Sequence, residues 1–335
     1  MEKLYLIIFA VVFFAMISIP IISIDSDVKT IDQTEKITTK PSDSIKKTDD
    51  KKTEEKVNVF MSKDKKVSTV DLSEYLLGVC LTEMDESYPD EAIKAQAVAA
   101  HTLYLYRKAE NVKNDYDITD NYAVDQGYLD ESGRKEKYKD KQAEIEKRVK
   151  KLVNEVKNKV IYYKDKPILA VYHDTSGGKT ENAKDIWGGD YPYLQSVESV
   201  SDLLNPSYSS VVTYTKAEFL SRLKSLGGSL PKKSADFIGK STTTGSGTVK
   251  SIIIGKKSFS GDKIRVAFGL RSANFDLKYE NKKFVFTVRG FGHGVGMSQY
   301  GAKYMAEKGS GYTEILNWYY KNCEIKGWYF NFDKV

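Results

Sequence analysis

The sequence predicts an α+β fold in which mixed helices and antiparallel strands form a folded core with a smaller inserted lobe, preceded by a transmembrane helix and a disordered tether. Apolar residues recur at helical spacing over residues 71–108. Short segments rich in β-branched and aromatic residues, separated by turns, follow between residues 161 and 288. An uncharged apolar run and a polar segment precede both. A chain of 335 residues can bury a sizeable core in one or two domains.

The N-terminal segment is predicted to anchor the chain in a membrane. Residues 4–24 carry no charge, and about 20 apolar residues suffice to cross a bilayer. A cleavable signal peptide would have a shorter apolar core and a small-residue cleavage site, and neither is evident. We therefore expect residues 1–25 to form an uncleaved single-pass anchor. Lys3 favours a cytoplasmic N-terminus, which would place the remaining chain outside the cytoplasm.

The next segment is predicted to be a flexible linker. Residues 26–56 are mostly Asp, Lys, Thr, Ser and Glu, and such a composition cannot bury enough apolar surface to offset the entropy lost on ordering. We expect the folded domain to span residues 57–335 and to begin with a strand. Residues 201–285 are expected to form the smaller lobe.

Composition and charge argue against several classes of protein. The chain has 52 Lys and Arg against 46 Asp and Glu, a formal net charge of +6, with no concentrated basic helix or arm. Nucleic-acid binding is therefore not indicated, although a polyanionic wall or membrane surface would suit the charge. Cys80 and Cys323 are far apart and form no CxxC motif, so neither a zinc ribbon nor a disulfide framework is indicated. We expect Cys80 to be a buried free thiol, and no motif indicates a cofactor.

The first informative stretch, residues 71–108, predicts two helices with a break near Pro89. One face of the first helix carries the following residues: Leu72, Leu76, Val79 and Glu83. An acid on an apolar face has a raised pKa, which suits a general acid. Alternatively, Glu83 lies just beyond the helix and pairs with Lys94 or a backbone N–H. The many alanines of the second helix suggest that it is central and approached closely by other backbones.

The second stretch, residues 173–197, combines polar groups with aromatic rings after a predicted strand. His173, Thr175 and Ser176 precede two glycines, and Trp187, Tyr191 and Tyr193 follow. Hydroxyls and backbone N–H groups beside flat apolar rings suit a carbohydrate, which has both hydroxyl edges and C–H faces. The alternative is an ordinary capped turn with buried aromatic residues.

The third stretch, residues 289–308, has glycine at positions 290, 292, 294 and 296. Such spacing permits a chain path that other residues resist. His293 lies within this turn, and Ser298 can cap the helix that follows. His173, His293 and a nearby Asp could bind zinc, but no HExxH-like spacing supports such a site and none is predicted.

The remaining elements are less distinctive. The pattern predicts helices at 135–160, 215–226, 268–275 and 312–320, a hairpin at 161–172, a loop at 239–247, and strands at 249–254, 263–268 and 284–288.

Together the three stretches resemble a known family. EMxxxxPxEAxKAQAVAA, HxTSGGxTENAxDxWGGxxPYL and GxGHGVGMSQYGA occur in this order and resemble the stage II sporulation protein D family, which includes amidase-enhancer relatives. The resemblance extends roughly from Val57 to the C-terminus. It implies a lytic transglycosylase that cleaves the MurNAc–GlcNAc bond of peptidoglycan during engulfment in sporulation and leaves 1,6-anhydro-MurNAc ends.

The resemblance also implies roles and partners. Glu83 corresponds to the catalytic acid, and peptide-stripped glycan strands would be the substrate, with a cell-wall amidase and engulfment membrane proteins as partners. The resemblance implies substrate-pocket positions at His101, Tyr193, Gln195 and Ser298. With the polar residues of the second and third stretches, the predicted substrate-binding set is His101, His173, Thr175, Ser176, Tyr193, Gln195, His293 and Ser298.

The chain departs from the family pattern at two of these positions. His101 stands where the family usually has arginine, and Gln195 stands where it has a basic residue. Some members also bind zinc through cysteine and histidine in the loop after the helix pair, but residues 115–130 contain neither type. A non-catalytic enhancer that binds glycan and positions an amidase therefore remains the alternative to an enzyme.

Overall fold

The computed structural model describes residues 54–328, so the predicted anchor and nearly all of the predicted linker lie outside the described residues. Between residues 54 and 328, no helix has the length and apolar character needed to span a bilayer. The α+β class with antiparallel sheets is confirmed.

The first half of the described chain builds most of the helical core. Its elements are β1 (Lys56–Met61), β2 (Lys66–Asp71), α1 (Leu72–Glu83), α2 (Asp90–Glu110), β3 (Ile118–Thr119), α3 (Glu131–Tyr138), α4 (Gln142–Val156), β4 (Lys159–Tyr163), β5 (Lys166–Pro167), β6 (Tyr172–His173) and α5 (Ala183–Trp187).

The second half forms a lobe and then returns to the core. Its elements are β7 (Ser209–Thr215), α6 (Lys216–Ser225), β8 (Ile238–Thr243), β9 (Val249–Ile254), β10 (Lys257–Phe259), α7 (Gly261–Phe268), β11 (Phe275–Glu280), β12 (Lys283–Arg289), β13 (Met297–Ser298), α8 (Gln299–Glu307), α9 (Tyr312–Tyr319) and β14 (Glu324–Gly327).

Helix α2 is the central element of the core, as its alanines predicted. It packs against α1, α4, α8, α9 and strand β4. Its alanines from Ala92 to Ala100 are almost completely buried, because their small side chains let neighbouring backbones approach. Helix α1 is buried along most of its length, and Cys80 within it is a buried free thiol, as predicted.

Residues 209–289 form what we call the β-rich lobe. Two antiparallel sheets, ordered β10-β9-β8 and β11-β12-β7, enclose a separate apolar core with helices α6 and α7. Phenylalanine dominates that core, and Phe219 stacks on Phe284 with ring centroids 3.7 Å apart. The lobe therefore has a hydrophobic centre distinct from the one that surrounds α2.

Several predicted elements were wrong in detail. Residues 263–268 form part of α7 rather than a strand, because Ser260 caps the helix through the N–H of Lys263 and Ile264 and Phe268 bury one helical face. The predicted helix at 268–275 is instead a turn that begins at Gly269, whose φ is +60°. Strand β8 occupies most of the predicted loop at 239–247. The predicted helix at 135–160 is divided near Lys139, whose φ is +50°.

Candidate active site

A short parallel strand pair joins the second and third predicted stretches. Strand β6 lies beside β13, and isolated bridges continue the junction on either side. The residues paired across it are Tyr172 with Met297, His173 with Ser298, Thr175 with Phe291 and Glu181 with Val295. Segments more than a hundred residues apart in sequence thus form one wall.

The alternating glycines are required by close backbone approach at this junction. All four have positive φ, and a Cβ at Gly296 would lie 2.0 Å from the carbonyl oxygen of Val171. A Cβ at Gly292 would lie 2.7 Å from the Cβ of His173. Any other residue would push the two stretches apart, so the glycine spacing predicted a real constraint on the chain path.

Glu83 ends helix α1 and reaches this wall from the first stretch. Its Oε1 accepts a hydrogen bond of 2.5 Å from the backbone N–H of Gly127. Burial raises the pKa of Glu83, and the Gly127 N–H, the nearby amide of Gln299 and the charge of Lys137 oppose this shift without cancelling it. Gln299, the first residue of α8, donates to Gln96 in α2 at 3.4 Å, so the first and third stretches lie together beside this carboxyl group.

The alternative ion pair between Glu83 and Lys94 is not present. Lys94 instead bonds to Glu91 at 2.9 Å and to Glu155 at 2.8 Å. The alternative also allowed a hydrogen bond from a backbone N–H to Glu83, and the N–H of Gly127 makes that bond. Glu83 therefore has hydrogen-bond donors and a nearby cation but no direct ion pair within residues 54–328.

A buried hydrogen-bond chain supports the wall beneath Glu83. The hydroxyl of Tyr172 donates to the side-chain oxygen of Gln126 at 2.7 Å, and the amide of Gln126 donates to the hydroxyl of Tyr75 at 2.7 Å. The same amide donates to the carbonyl of Ala100 in α2 at 3.2 Å. Gln126 thus ties the loop that supplies Gly127 to both core helices and to β6.

His173, His293 and Trp187 form an adjacent group of rings. The two imidazole centroids are 5.8 Å apart, and the indole of Trp187 lies 5.1 Å from His293. Burial lowers the pKa of His173 to about 4 and that of His293 to about 3, so both are neutral near pH 7. Trp187 is 44% exposed and offers a flat apolar face to solvent. Within residues 54–328, no three His, Cys, Asp or Glu side chains are grouped as metal ligands.

The predicted hydroxyl residues lie behind the wall, around a buried acid. Asp202 is fully buried and accepts hydrogen bonds from the N–H of Ser176 at 2.7 Å and the hydroxyl of Ser298 at 2.9 Å. Ser298 also caps α8 by accepting from the N–H of Gly301, as predicted. Burial raises the pKa of Asp202, and its hydrogen bonds from Ser176 and Ser298 oppose the shift. Thr175, Ser176 and Ser298 are each at most 2% exposed.

The structure does not bring His101 to Glu83. His101 is fully buried, and its ring lies 6.2 Å from that of Tyr104 and 6.5 Å from that of Trp328. Burial lowers the pKa of His101 to about 4, against the opposing charge of Glu55. The side chain therefore packs as a neutral ring in the core.

Tyr193 and Gln195 lie near α5 and differ in exposure. Tyr193 is 7% exposed, and its hydroxyl accepts from the N–H of Leu169 at 3.1 Å. Gln195 is exposed, and its amide donates to the carbonyl of Pro192 at 2.7 Å. No hydrogen bond in the described chain links either residue to Glu83.

Sequence reasoning missed several residues that define this site. Gly127 and Gln126 lie in a loop that showed only turn-forming composition, and Asp202 lies in a segment with no recognisable motif. Gln299 could have been found, because it is the first polar side chain after a predicted helix cap and therefore projects near the helix N-terminus. Tyr172 ended a predicted strand directly before the second stretch.

Comparison with known proteins gives a consistent family. A family profile described as Stage II sporulation protein matches residues 61–163, which include Glu83. The chain is 36% identical over 274 residues to Stage II sporulation protein D of Bacillus amyloliquefaciens, covering 80% of this chain and 78% of the relative. The corresponding protein of Bacillus subtilis (strain 168) is 35% identical over 273 residues, with the same coverage.

A more distant relative bears a different name. The chain is 28% identical over 303 residues to a protein of Bacillus subtilis (strain 168) named Amidase enhancer. The similarity covers 75% of this chain but 40% of that relative.

Proposed function

This chain belongs to the stage II sporulation protein D family, and we propose that it is a membrane-anchored lytic transglycosylase of peptidoglycan in which Glu83 transfers the proton. The observation that carries the proposal is the carboxyl group itself. Glu83 is half-buried, its pKa is raised by burial, and residues of the first and third stretches lie around it. A carboxyl group whose neutral form is favoured by burial suits donation of a proton to a glycosidic oxygen.

The reaction needs one carboxyl group in two successive roles. Glu83 first protonates the oxygen that links MurNAc to GlcNAc, and the bond from C1 of MurNAc to that oxygen breaks. The resulting carboxylate then removes the proton from the C6 hydroxyl of the same MurNAc while that oxygen bonds to C1. The products are a 1,6-anhydro-MurNAc end and a free GlcNAc hydroxyl, Glu83 is protonated again, and no water is consumed.

The neighbours of Glu83 suit this exchange of roles. The N–H of Gly127, the amide of Gln299 and the charge of Lys137 all favour the carboxylate. Burial favours the neutral acid. Because the two influences oppose each other, both protonation states are accessible to one group during a catalytic cycle.

A hydrolase would use a second carboxylate at a defined separation from the first. Three acids in or near the first two stretches could in principle supply it, but each is engaged elsewhere: Asp85 accepts from Ser87, Asp174 accepts from Thr175, and Asp185 pairs with Lys250 at 3.0 Å. None of them is among the groups that act on the charge of Glu83. This arrangement supports intramolecular attack by the C6 hydroxyl over attack by water.

We assign the predicted binding residues two kinds of role within this proposal. Trp187 and His293 provide a face against which a sugar can pack. Ser176 and Ser298 hold the wall in place through Asp202, Thr175 does so through Asp174 and Asn205, and none of the three contacts glycan. A direct contact by His101 would require the core to open, so we place that residue outside the groove.

The biological process, the substrate and the partners are proposed from family membership. We propose that the enzyme acts during sporulation on glycan stripped of its stem peptides, with the domain outside the cytoplasm. A cell-wall amidase, which would strip the peptides, and membrane proteins of engulfment are the proposed partners. Residues 1–25 are the proposed anchor.

A second candidate is a non-catalytic enhancer of a cell-wall amidase. The relative named Amidase enhancer and the missing positive charge at the exposed Gln195 favour it. Glycan binding alone gives no reason to keep an acid half-buried with a raised pKa, so we place this candidate second.

Mass spectrometry of the products tests the proposal. The purified chain is incubated with glycan strands that either carry stem peptides or have been stripped of them. We expect 1,6-anhydro-MurNAc ends, with faster release from the stripped strands. Reducing MurNAc ends would mean that water attacks, and retention of intact glycan without cleavage would favour the enhancer.

A further inference from the structure

The positive charge of this protein is concentrated in the β-rich lobe. Residues 209–289 contain sixteen Lys and Arg but only five Asp and Glu, a surplus larger than the +6 of the whole chain. The rest of the sequence is therefore net acidic. The basic residues of the lobe are dispersed along the sequence and form no long basic run. Only the fold brings them together.

Strand direction places many of these lysines at one end of the lobe. The strands begin or end at the core near Ser209 and Arg289, which pair with each other, and at the opposite end Thr215 pairs with Lys283. Near the core end, Thr244 bonds to Glu181 at 2.9 Å. Turns and the start of α6 make up the distal end, which is about 20 Å from the core because the strands have six or seven residues.

We define the distal lysine patch as Lys216, Lys232, Lys233, Lys256, Lys257 and Lys282. Contacts hold its segments together: Lys216 lies 4.8 Å from the ring centroid of Phe237, and the N–H of Gly255 donates to the carbonyl of Phe237 at 2.8 Å. Lys257 donates to the carbonyl of Leu226 at the end of α6, at 2.9 Å.

The charges of the patch are not neutralised within the described chain. All six lysines are exposed, and none forms an ion pair with a carboxylate inside residues 54–328. The acids at the same end are Glu218, Asp236 and Glu280, and Glu218 is engaged by the N–H and hydroxyl of Thr215. The lysines therefore outnumber the acids and remain available to an external anion.

The side-chain chemistry favours a diffuse anionic surface over a shaped ligand. Lysine is a mobile point charge, whereas bidentate recognition of one phosphate or carboxylate favours arginine, which the patch lacks. Sugars and nucleic-acid bases bind to exposed aromatic rings, and no Phe, Tyr or Trp of the lobe is among the exposed large apolar residues of the described chain. Anionic lipid headgroups attract exposed lysines individually and without a fixed geometry, which suits six mobile side chains at one end of the lobe.

We propose that the distal lysine patch docks on the anionic phospholipid headgroups of the membrane to which the chain is predicted to be anchored. The N-terminal anchor would keep the domain near the bilayer, and the patch would add a second, electrostatic contact through the lobe. Two such contacts restrict the orientation of the domain, and the strands of the lobe hold the Glu83 site at a set distance from the lipid. This proposal does not depend on the reaction assigned to Glu83.

Energy transfer to labelled lipid measures the docking directly. The full chain, carrying Cys323→Ser and Ser234→Cys, is labelled with a donor at residue 234, which is exposed beside Lys233. It is reconstituted into vesicles of phosphatidylcholine, or of phosphatidylcholine with phosphatidylglycerol, that contain a headgroup acceptor. We expect energy transfer to be higher on the anionic vesicles and to fall to the phosphatidylcholine level in high salt.

Charge-matched variants locate the effect. Replacing Lys232, Lys233, Lys256 and Lys257 by Gln should lower the ratio of docked to undocked lobe by about two to three orders of magnitude, because each lysine contributes roughly fivefold near an anionic surface. The matched control replaces four exposed lysines outside the lobe by Gln: Lys135, Lys141, Lys147 and Lys150. This control should keep the energy transfer of the parent protein.

Three results would overturn the proposal. Equal transfer on both kinds of vesicle would show that anionic lipid does not attract the lobe. Equal losses in the two variants would show that net charge acts without this patch. Binding of soluble poly(glycerol phosphate), lost only in the patch variant and without any response to anionic lipid, would assign the patch to a wall polymer instead.

Discussion

Around Glu83, polar groups are withdrawn from water and tied to specific partners, whereas the lysines at the distal end of the β-rich lobe remain in solvent. The carboxyl group of Glu83 accepts a hydrogen bond from Gly127, and burial raises its pKa. The lysines of the patch are exposed and have no carboxylate partner within residues 54–328. The difference suits the roles proposed for the two regions. Proton transfer needs a group whose charge is costly, and long-range attraction needs charges that water already stabilises.

The largest effect expected in the core is the loss of the proton donor. Glu83→Gln keeps the side-chain volume but cannot donate the proton, so cleavage of stripped glycan should fall by about 10²–10⁴-fold. Folding and glycan binding should be nearly unchanged. The matched control, Glu144→Gln, alters an exposed acid of α4 and should keep full activity. Cleavage by the Glu83 variant at the parental rate would refute the assigned acid.

The next effect concerns the buried acid behind the wall. Asp202→Ala removes the acceptor of the buried Ser176 N–H and leaves the Ser298 hydroxyl only its longer bond of 3.4 Å to the carbonyl of Asp174. The free energy of unfolding should fall by about 2–4 kcal/mol, since each unsatisfied buried group costs about 1–3 kcal/mol. Chemical denaturation measures the change. The control Asp190→Ala alters an exposed acid and should shift the free energy by less than about 0.5 kcal/mol.

Substitutions at two glycines distinguish the cost of a steric clash from the cost of a positive φ. Gly296 and Gly309 both have positive φ, but a Cβ at Gly296 meets the Val171 carbonyl oxygen at 2.0 Å while Gly309 has open space. Gly309→Ala should cost about 1 kcal/mol of unfolding free energy, the penalty of the backbone alone. Gly296→Ala should cost about 2–4 kcal/mol and also slow cleavage, because it separates β6 from β13. Equal costs would mean that the junction adapts to the added methyl group.

The smallest expected effect is a shift in the pH profile. Activity should decline as pH rises through the raised pKa of Glu83, because the acid must be protonated to start the reaction. Lys137 favours the carboxylate, so Lys137→Gln should raise the pKa further and move this decline to higher pH. The rate of anhydro-end formation across pH measures it, with Lys135→Gln as the exposed control. A shift to lower pH would contradict the assigned influence of Lys137.

Local sequence patterns predicted helices and strands correctly where the pattern is typical of only one of the two. The spacing in α1 and α2 and the cap at Ser298 correspond to the structure, because helix periodicity and capping are local effects. Residues 263–268 were misassigned because a short apolar run suits a strand and a buried helix equally. Only Ser260, as a cap, and the packing of Phe268 against Phe219 resolve that ambiguity.

The residues of the site were predicted unevenly for the same reason. The local pattern singled out Glu83 as an acid on an apolar helical face but also fitted an ordinary structural bond, and its assignment as the catalytic acid came from the family resemblance. Asp202 and Gln126 act through partners far away in sequence, such as Ser298 and Tyr172, and their own neighbours in the chain give no signal. His101 remains a predicted substrate contact by resemblance, but its burial between Tyr104 and Trp328 gives the prediction no support.

By itself, the sequence determined the α+β class, the central alanine-rich helix and the family. Each depends on residue type and spacing, which are properties of the chain before it folds. Only the tertiary structure decided that Gly127 donates to Glu83, that Asp202 accepts from Ser176 and Ser298, and that dispersed lysines lie at one end of the lobe. These arrangements depend on which segments become neighbours, and packing of the whole chain selects those neighbours over many alternatives that satisfy the same local rules.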